Sequence, residues 1–224
     1  KFTPPEPPEP PAAVIDPETG EYNTNTIYYN GLISLRDGSN NQTSFRSLAN
    51  FYASYNILKD LSFKSEFGTD IMDLREKNYW GRLTITGGPA GEAQNRTVRV
   101  VNYNWENYLT YIKTFGVHHI NIVGGMSYQQ SNTTGSNIQA KGFPTDDFQN
   151  IENAAEATVF SSWENANSYL SYFARSNYKI NEKYFFTLSG RVDGSSRFGI
   201  DNRFGFFPAA SAGWILTQED FMSR

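Results

Sequence analysis

The chain contains no cysteine among its 224 residues. That excludes a disulfide framework and a cysteine-ligated zinc site, and it removes thiol usage as a guide to compartment. No apolar run approaches the ~18 residues a membrane-spanning helix requires, so a transmembrane helix is excluded. An excess of positive charge is missing too: 19 Lys and Arg against 23 Asp and Glu leave a net charge of −4, which speaks against nucleic acid as a partner. Histidine is limited to the adjacent pair His118 and His119, which an extended strand points to opposite sides, so the pair makes no metal site. No signal peptide opens the chain and its first residue is Lys1, which points to an internal piece of a longer precursor. Proline is scarce beyond the start: six of the ten lie within residues 4–11, and Pro17, Pro89, Pro144 and Pro208 avoid the interiors of alternating segments. Proline cannot donate to a β-ladder, so strands impose this distribution. Residues 1–13 read as an extended polyproline-like segment, either a stiff linker or a docking peptide.

Aromatic residues are abundant, 16% of the chain with 14 Tyr and 17 Phe. Alternation is the dominant pattern. From Tyr184 to Asp193 one parity reads Tyr, Phe, Leu, Gly, Val and the other Phe, Thr, Ser, Arg, Asp, which is a strand with one apolar face. Its length of about ten residues suits a membrane-crossing β-strand, and a β-sandwich strand has the same pattern. Phe45, Phe51 and Tyr55 oppose Arg46, Asn50 and Asn56; Leu61, Phe63 and Phe67 oppose Lys64, Glu66 and Asp70. Further strands are expected near residues 98–112, 119–129, 167–178 and 207–216. The apolar face of the fourth carries Ile120, Ile122, Gly124, Met126 and Tyr128. The mean hydropathy of −0.55 does not oppose a transmembrane barrel, whose alternating strands dilute the signal.

Connections alternate. Residues 56–60, 113–117 and 179–183 are short turns, whereas 73–96, 130–165 and 194–206 are long polar loops. Outer-membrane barrels show this pattern, with short periplasmic turns and long extracellular loops, and Greek-key sandwiches do not. Tyr55, Phe115, Tyr178 and Tyr184 fall beside the short turns, where a periplasmic aromatic girdle belongs. The fold class is therefore all-β: about seven strands of an antiparallel transmembrane β-barrel, with residues 1–43 as a Pro-rich extended segment and extracellular loop and 44–224 as barrel. Seven strands do not close a bacterial barrel, and open edges in lipid leave backbone groups unpaired, so other segments must complete the wall.

Particular motifs resemble a known family. They are Ser176-Asn177-Tyr178, Asn181-Glu182-Lys183-Tyr184, Arg191-Val192-Asp193-Gly194-Ser195-Ser196-Arg197-Phe198-Gly199, Phe207-Pro208, Gly213-Trp214 and Glu219-Asp220-Phe221. Together they resemble the barrel of SusC/RagA-type TonB-dependent transporters, over roughly residues 44–222. The resemblance implies one third of a plugged barrel of about 22 strands, in the outer membrane of a Gram-negative bacterium. It further implies import of oligosaccharides or peptides, energised through TonB, beneath a SusD-like surface lipoprotein acting as a lid. The plug itself is not in the chain. A passive porin or adhesin barrel and a soluble carbohydrate-binding β-sandwich are the alternatives.

Parity places Lys64, Glu66, Arg191 and Asp193 toward the lumen, either contacting substrate or pairing with neighbours or with the plug. Tyr79, Trp80 and Trp163 are expected in loops, either stacking on sugar rings, touching the lid or anchoring the loop. Asp193-Gly194-Ser195-Ser196 lacks a nucleophile elbow and a nearby histidine, so it reads as a strand leaving the membrane, and no catalytic residue is assigned. No cofactor is expected beyond calcium in extracellular loops, for which Asp70 with Asp73 and Asp146 with Asp147 are the candidate carboxylates.

Overall fold

The computed structural model describes residues 13–24 and 30–222, so the proline-rich reading of residues 1–13 lies, but for Ala13, outside the described residues. A short helix α1 (Gly31–Asp37) is followed by seven strands: β1 (Gly38–Leu58), β2 (Leu61–Trp80), β3 (Glu92–Phe115), β4 (His118–Lys141), β5 (Glu156–Ile180), β6 (Tyr184–Ser195) and β7 (Phe204–Trp214). They form one sheet in sequence order, antiparallel throughout. β1 and β7 are its outer strands, and each has an edge without a partner strand among the described residues.

Short turns join β1 to β2, β3 to β4 and β5 to β6. In the last, Asn181 (φ 52°) and Glu182 (φ 57°) are both left-handed and the Lys183 N–H donates to the Ile180 carbonyl at 3.0 Å. That is a type I′ hairpin turn, whose twist matches the flanking strands, and Asn is suited to its first central position.

Two expectations change. Residues 73–96 and 130–165 are not mainly loop: β2 runs on to Trp80, β3 starts at Glu92, β4 reaches Lys141 and β5 begins at Glu156. The extensions mix polar residues into both parities, with Tyr79, Trp80, Val159, Phe160 and Trp163 scattered among them, so they carry no clean period-two hydropathy even though the backbone ladder continues. Pro208 is also not at a strand end but the fifth residue of β7. β7 is an outer strand here, where a missing N–H is tolerated.

The described chain divides into two compact units. The first comprises residues up to Phe45 with Asp73–Val98 and Gly135–Trp163, and it has a small core of Tyr79, Ala93 and Phe143. The second comprises Arg46–Met72, Arg99–Thr134 and residues from Glu164 onward.

In the second unit the register sorts side chains by face. Ser176 pairs with Leu188 and Leu188 with Ala210, while Tyr178 pairs with Phe186 and Phe186 with Ala212, giving one apolar row across three strands. On the opposite face Asn177 pairs with Thr187, whose hydroxyl donates to the Asn177 side chain at 3.0 Å.

The apolar face is bounded by two aromatic rows. Near the short turns, Phe115 and Tyr178 stack on either side of His118, whose Nδ1 lies 2.7 Å from the Tyr178 hydroxyl, and Tyr184 stacks on Trp214. Ten residues further along β4, Tyr128 and its neighbour Tyr103 on β3 both donate to Oε1 of Gln130, at 2.8 and 2.5 Å. Phe67 packs against Tyr103, and Trp105 donates to Ser65. On β7 the same interval separates Trp214 from Phe204, whose ring covers Gly194 where a Cβ would collide with it. Ten strand residues span about 33 Å, or about 25 Å of height at a barrel tilt near 40°, which is the apolar band of an outer-membrane barrel. Of the four aromatics expected beside the short turns, Phe115, Tyr178 and Tyr184 lie in this row together with the unforeseen His118 and Trp214, while Tyr55 makes no ring contact with them. The second row was not read from the sequence.

One carboxylate fastens the end of β7. Glu219 accepts from the Tyr184 hydroxyl at 2.7 Å, the Trp214 indole at 3.0 Å and the Lys183 ammonium at 3.3 Å. The Tyr184 bond first, then Trp214, hold its carboxyl below the usual glutamate range. A depressed carboxylate contributes stability that is complete above its unfolded pKa and is lost as pH falls through the folded value. We expect Trp214 fluorescence in the folded full-length protein to shift only at pH values below the ordinary glutamate value of 4.5. Glu219→Gln should remove that acid transition, and an unchanged transition would contradict the assignment.

Candidate functional site

The polar face of the second unit bears a concavity of about 600 Å³. Its lining side chains alternate along the strands: Asn50 from β1, Gly68 and Asp70 from β2, Asn102 and Asn104 from β3, Gln129 from β4, Asn167 and Tyr169 from β5. Gln129 and Gln130 are neighbours, so the concavity lies back to back with the second aromatic row. Gly68 forms its floor, and a Cβ there would meet the end of the Asn104 amide. Five neutral amides, each with donor and acceptor groups, converge on this surface.

Charges around it are internally compensated. Arg46 makes two bonds to Asp70, at 2.9 and 2.8 Å. Lys64 lies 2.8 Å from Glu66 and 4.8 Å from the centre of the Tyr52 ring, and Glu66 also accepts from Asn50 at 2.7 Å. Arg191 donates to Asp193 at 2.5 Å and to Ser171 at 3.0 Å. Lys64 thus pairs with Glu66, and Arg191 with Asp193, each within its own strand. These pairs, Arg46–Asp70 included, are exposed and screened by solvent, and their main effect is to neutralise those six side chains locally.

The first unit holds the aromatic candidates, and none of them sits in a loop. Tyr79 ends β2 at 2% exposure, edge-on to Phe143 at 5.0 Å, with its hydroxyl donating to Asp146 at 2.8 Å. Burial first, then Asp146, pushes its phenol well above the usual tyrosine value. It is a core residue that ties together the β2–β3 and β4–β5 connections, helped by Arg82, which donates to the Phe143 carbonyl at 2.6 Å. Trp80 is the last residue of β2. Trp163 lies on β5 with its indole laid over Gly135 of β4. The carboxylates singled out for calcium have other partners: Asp70 has Arg46, Asp146 has Tyr79, and Asp147 lies 3.2 Å from the Thr145 hydroxyl.

Asp193-Gly194-Ser195-Ser196 is a clasp at the end of β6. Ser196 exchanges bonds with Ser168 of β5, through its hydroxyl and its own N–H, at 2.8 and 2.9 Å. The Ser195 hydroxyl accepts from the Arg197 N–H at 3.3 Å and its own N–H donates to the Arg203 carbonyl at 3.0 Å. Both hydroxyls serve the backbone, and the segment is a strand-to-loop exit. The amides of the concavity were missed by the sequence reading, although Asn102 and Asn104 share a parity at spacing two.

A ten-residue apolar band between aromatic rows, backed by a polar opposite face, defines a segment of transmembrane β-barrel wall. Residues 2–222 match the family described as TonB dependent receptor-like, beta-barrel, and the chain belongs to that family. Among curated relatives, TonB-dependent receptor P3 of Formosa agariphila is 36% identical over 177 residues, 78% of this chain and 18% of that receptor. TonB-dependent receptor SusC of Bacteroides thetaiotaomicron is 26% identical over 190 residues, covering 85% of this chain and 19% of SusC. Among solved structures, that of the RagAB peptide transporter matches with a TM-score of 0.82 and 21% identity, over 92% of this chain and 24% of the other. The chain thus spans about a fifth of the length of its relatives. The family comprises transport receptors rather than enzymes.

Proposed function

We propose that this segment forms part of the wall of an active importer in the outer membrane of a Gram-negative bacterium. In this reading the short turns face the periplasm, a plug fills the lumen, TonB supplies energy, and a SusD-like surface lipoprotein closes the outer mouth over an oligosaccharide or peptide cargo. The observation that carries it is the back-to-back arrangement in the second unit, where an apolar band faces outward while five amides line a lumenal concavity at the height of the outer aromatic row. A wall that only closed a pore would not need a shaped, charge-compensated surface at that height. The family membership and the fold shared with the RagAB peptide transporter support the reading.

The test is uptake by cells expressing the full-length receptor, with and without a protonophore. Dependence on the proton gradient is the expected outcome. Uptake unaffected by its collapse would instead favour a passive porin.

A further inference from the structure

On the polar face of the second unit, Arg175 breaks the pattern of compensated charge. It pairs with Ser189 across the sheet and so shares the face of Thr187 and Arg191. Its Nε donates to the Asn177 side-chain oxygen at 3.2 Å, an oxygen that also accepts from the Thr187 hydroxyl. Arg46, Lys64 and Arg191 on the same face each have a carboxylate, whereas the exposed Arg175 has none among the described residues. Two further groups of this face are unmet among the described residues. Glu106 of β3, on the parity of Asn102 and Asn104, has no cation, and the buried side-chain oxygen of Asn121 on β4, on the parity of Gln129, accepts no hydrogen bond. The sheet order fixes the direction from which partners come. β3, β4 and β5 each have both neighbouring strands in place, and further wall strands add only beyond β1 or β7. No strand of the wall is left to stand beside these three groups, so what meets them approaches from the lumen.

We infer that Arg175 is a latch for a carboxylate carried by a segment of the full-length chain that packs inside the lumen. This rests on the reading of the chain as part of a filled importer wall, and it supplies a contact that holds the filling in place. The side chain is set up for the role. Asn177 engages Nε and so fixes the plane of the guanidinium, and the terminal nitrogens keep parallel N–H groups on an open edge. A carboxylate accepts from such an edge with both oxygens, and an arginine makes this planar, two-point contact where a lysine offers only a point charge. Glu106 calls for a cation and Asn121 for a donor, so the inner segment presents charges of both signs and a polar hydrogen to this wall. Its position sets Arg175 apart from the surface proposed for cargo. It stands three residues from Tyr178 in the aromatic row at the short turns, whereas the amide concavity lies behind the opposite row. A charge held there serves a resident element of the lumen.

The test is carbodiimide cross-linking of the full-length receptor in isolated outer membranes, without added cargo. Carbodiimide joins an amine to a carboxylate in direct contact with it and leaves arginine unreacted, so Arg175→Lys makes the latch linkable. Lysine keeps the charge and nearly the reach of arginine at an exposed position, so the fold should hold, and heat-modifiable migration checks that it does. Peptide mapping should find position 175 of Arg175→Lys joined to an aspartate or glutamate outside the barrel strands. That product should be at least tenfold more abundant than in the wild type or in Arg175→Gln. No link above these two controls overturns the latch, and so does a link to a carboxylate of the barrel strands. If the latch falls while uptake still depends on the proton gradient, the importer reading stands. If uptake is also unaffected by collapse of the gradient, both fall.

Discussion

Leu188→Arg is expected to eliminate most of the folded barrel, whereas Thr187→Arg leaves assembly largely intact. The two residues are adjacent in β6 and differ only in face. Leu188 is 66% exposed and pairs with Ser176 and Ala210 in the apolar row, four residues from Tyr184 of one aromatic row and six from Gly194 beneath the other. An arginine there sits in the middle of the bilayer's hydrocarbon, at a cost of roughly 2–4 kcal/mol. Thr187 faces inward and hydrogen-bonds Asn177, so an arginine there loses one bond of about 1 kcal/mol but keeps its charge in a wet lumen. The difference corresponds to a factor of about ten or more in folded fraction and is measured as the heat-modifiable band in isolated outer membranes. Equal effects of the two substitutions would contradict the assignment of faces.

The second large effect is expected at Gly68, in function rather than assembly. Gly68→Phe directs a ring into the concavity from its floor, between Asn50 on one side and Asn102 and Asn104 on the other. The first atom a new side chain meets is the terminal amide oxygen of Asn104, which turns away about a single bond at low cost. The fold should therefore hold while the space for cargo is filled. Uptake by the full-length receptor should fall at least tenfold at unchanged surface abundance, and Gly68→Ala should have a much smaller effect. Full uptake by Gly68→Phe would show that cargo does not pass over this surface.

How much of this was legible in the sequence follows from which groups meet lipid. Ile120, Ile122, Met126 and Tyr128 alternate with polar neighbours because one face of β4 is bathed in hydrocarbon, and the strand could be read from that contrast. Beyond Gln130 the same strand continues to Lys141 with both faces wet, and nothing in its hydropathy separates it from a loop. Tyr79 and Trp163 were placed in loops for this reason. The burial of Tyr79 depends on Phe143, a contact 64 residues away that no local pattern announces. Gly135 shows no sign in sequence of being a seat for Trp163, because its role is defined by a ring on the neighbouring strand. The outer aromatic row was invisible because Tyr103 and Tyr128 meet across neighbouring strands, ring to ring and through Gln130, a polar residue on the apolar parity. By contrast, the turn at residues 179–183 and the exit at Gly194 were legible from the alternation that stops at each, and the structure adds the left-handed Asn181 and the Phe204 ring packed on Gly194.

The most direct test is the environment of single side chains along β4. This segment contributes no native thiol, so cysteines introduced one at a time at Ile120, Ile122, Val123, Met126 and Ser127 of the folded full-length receptor each report from one place. Fluorescent labels at Ile120, Ile122 and Met126 should be quenched by brominated lipid chains, and labels at Val123 and Ser127 should not. Quenching that fails to alternate, or that alternates in the opposite sense, would contradict a wall with its even-numbered β4 residues in the membrane.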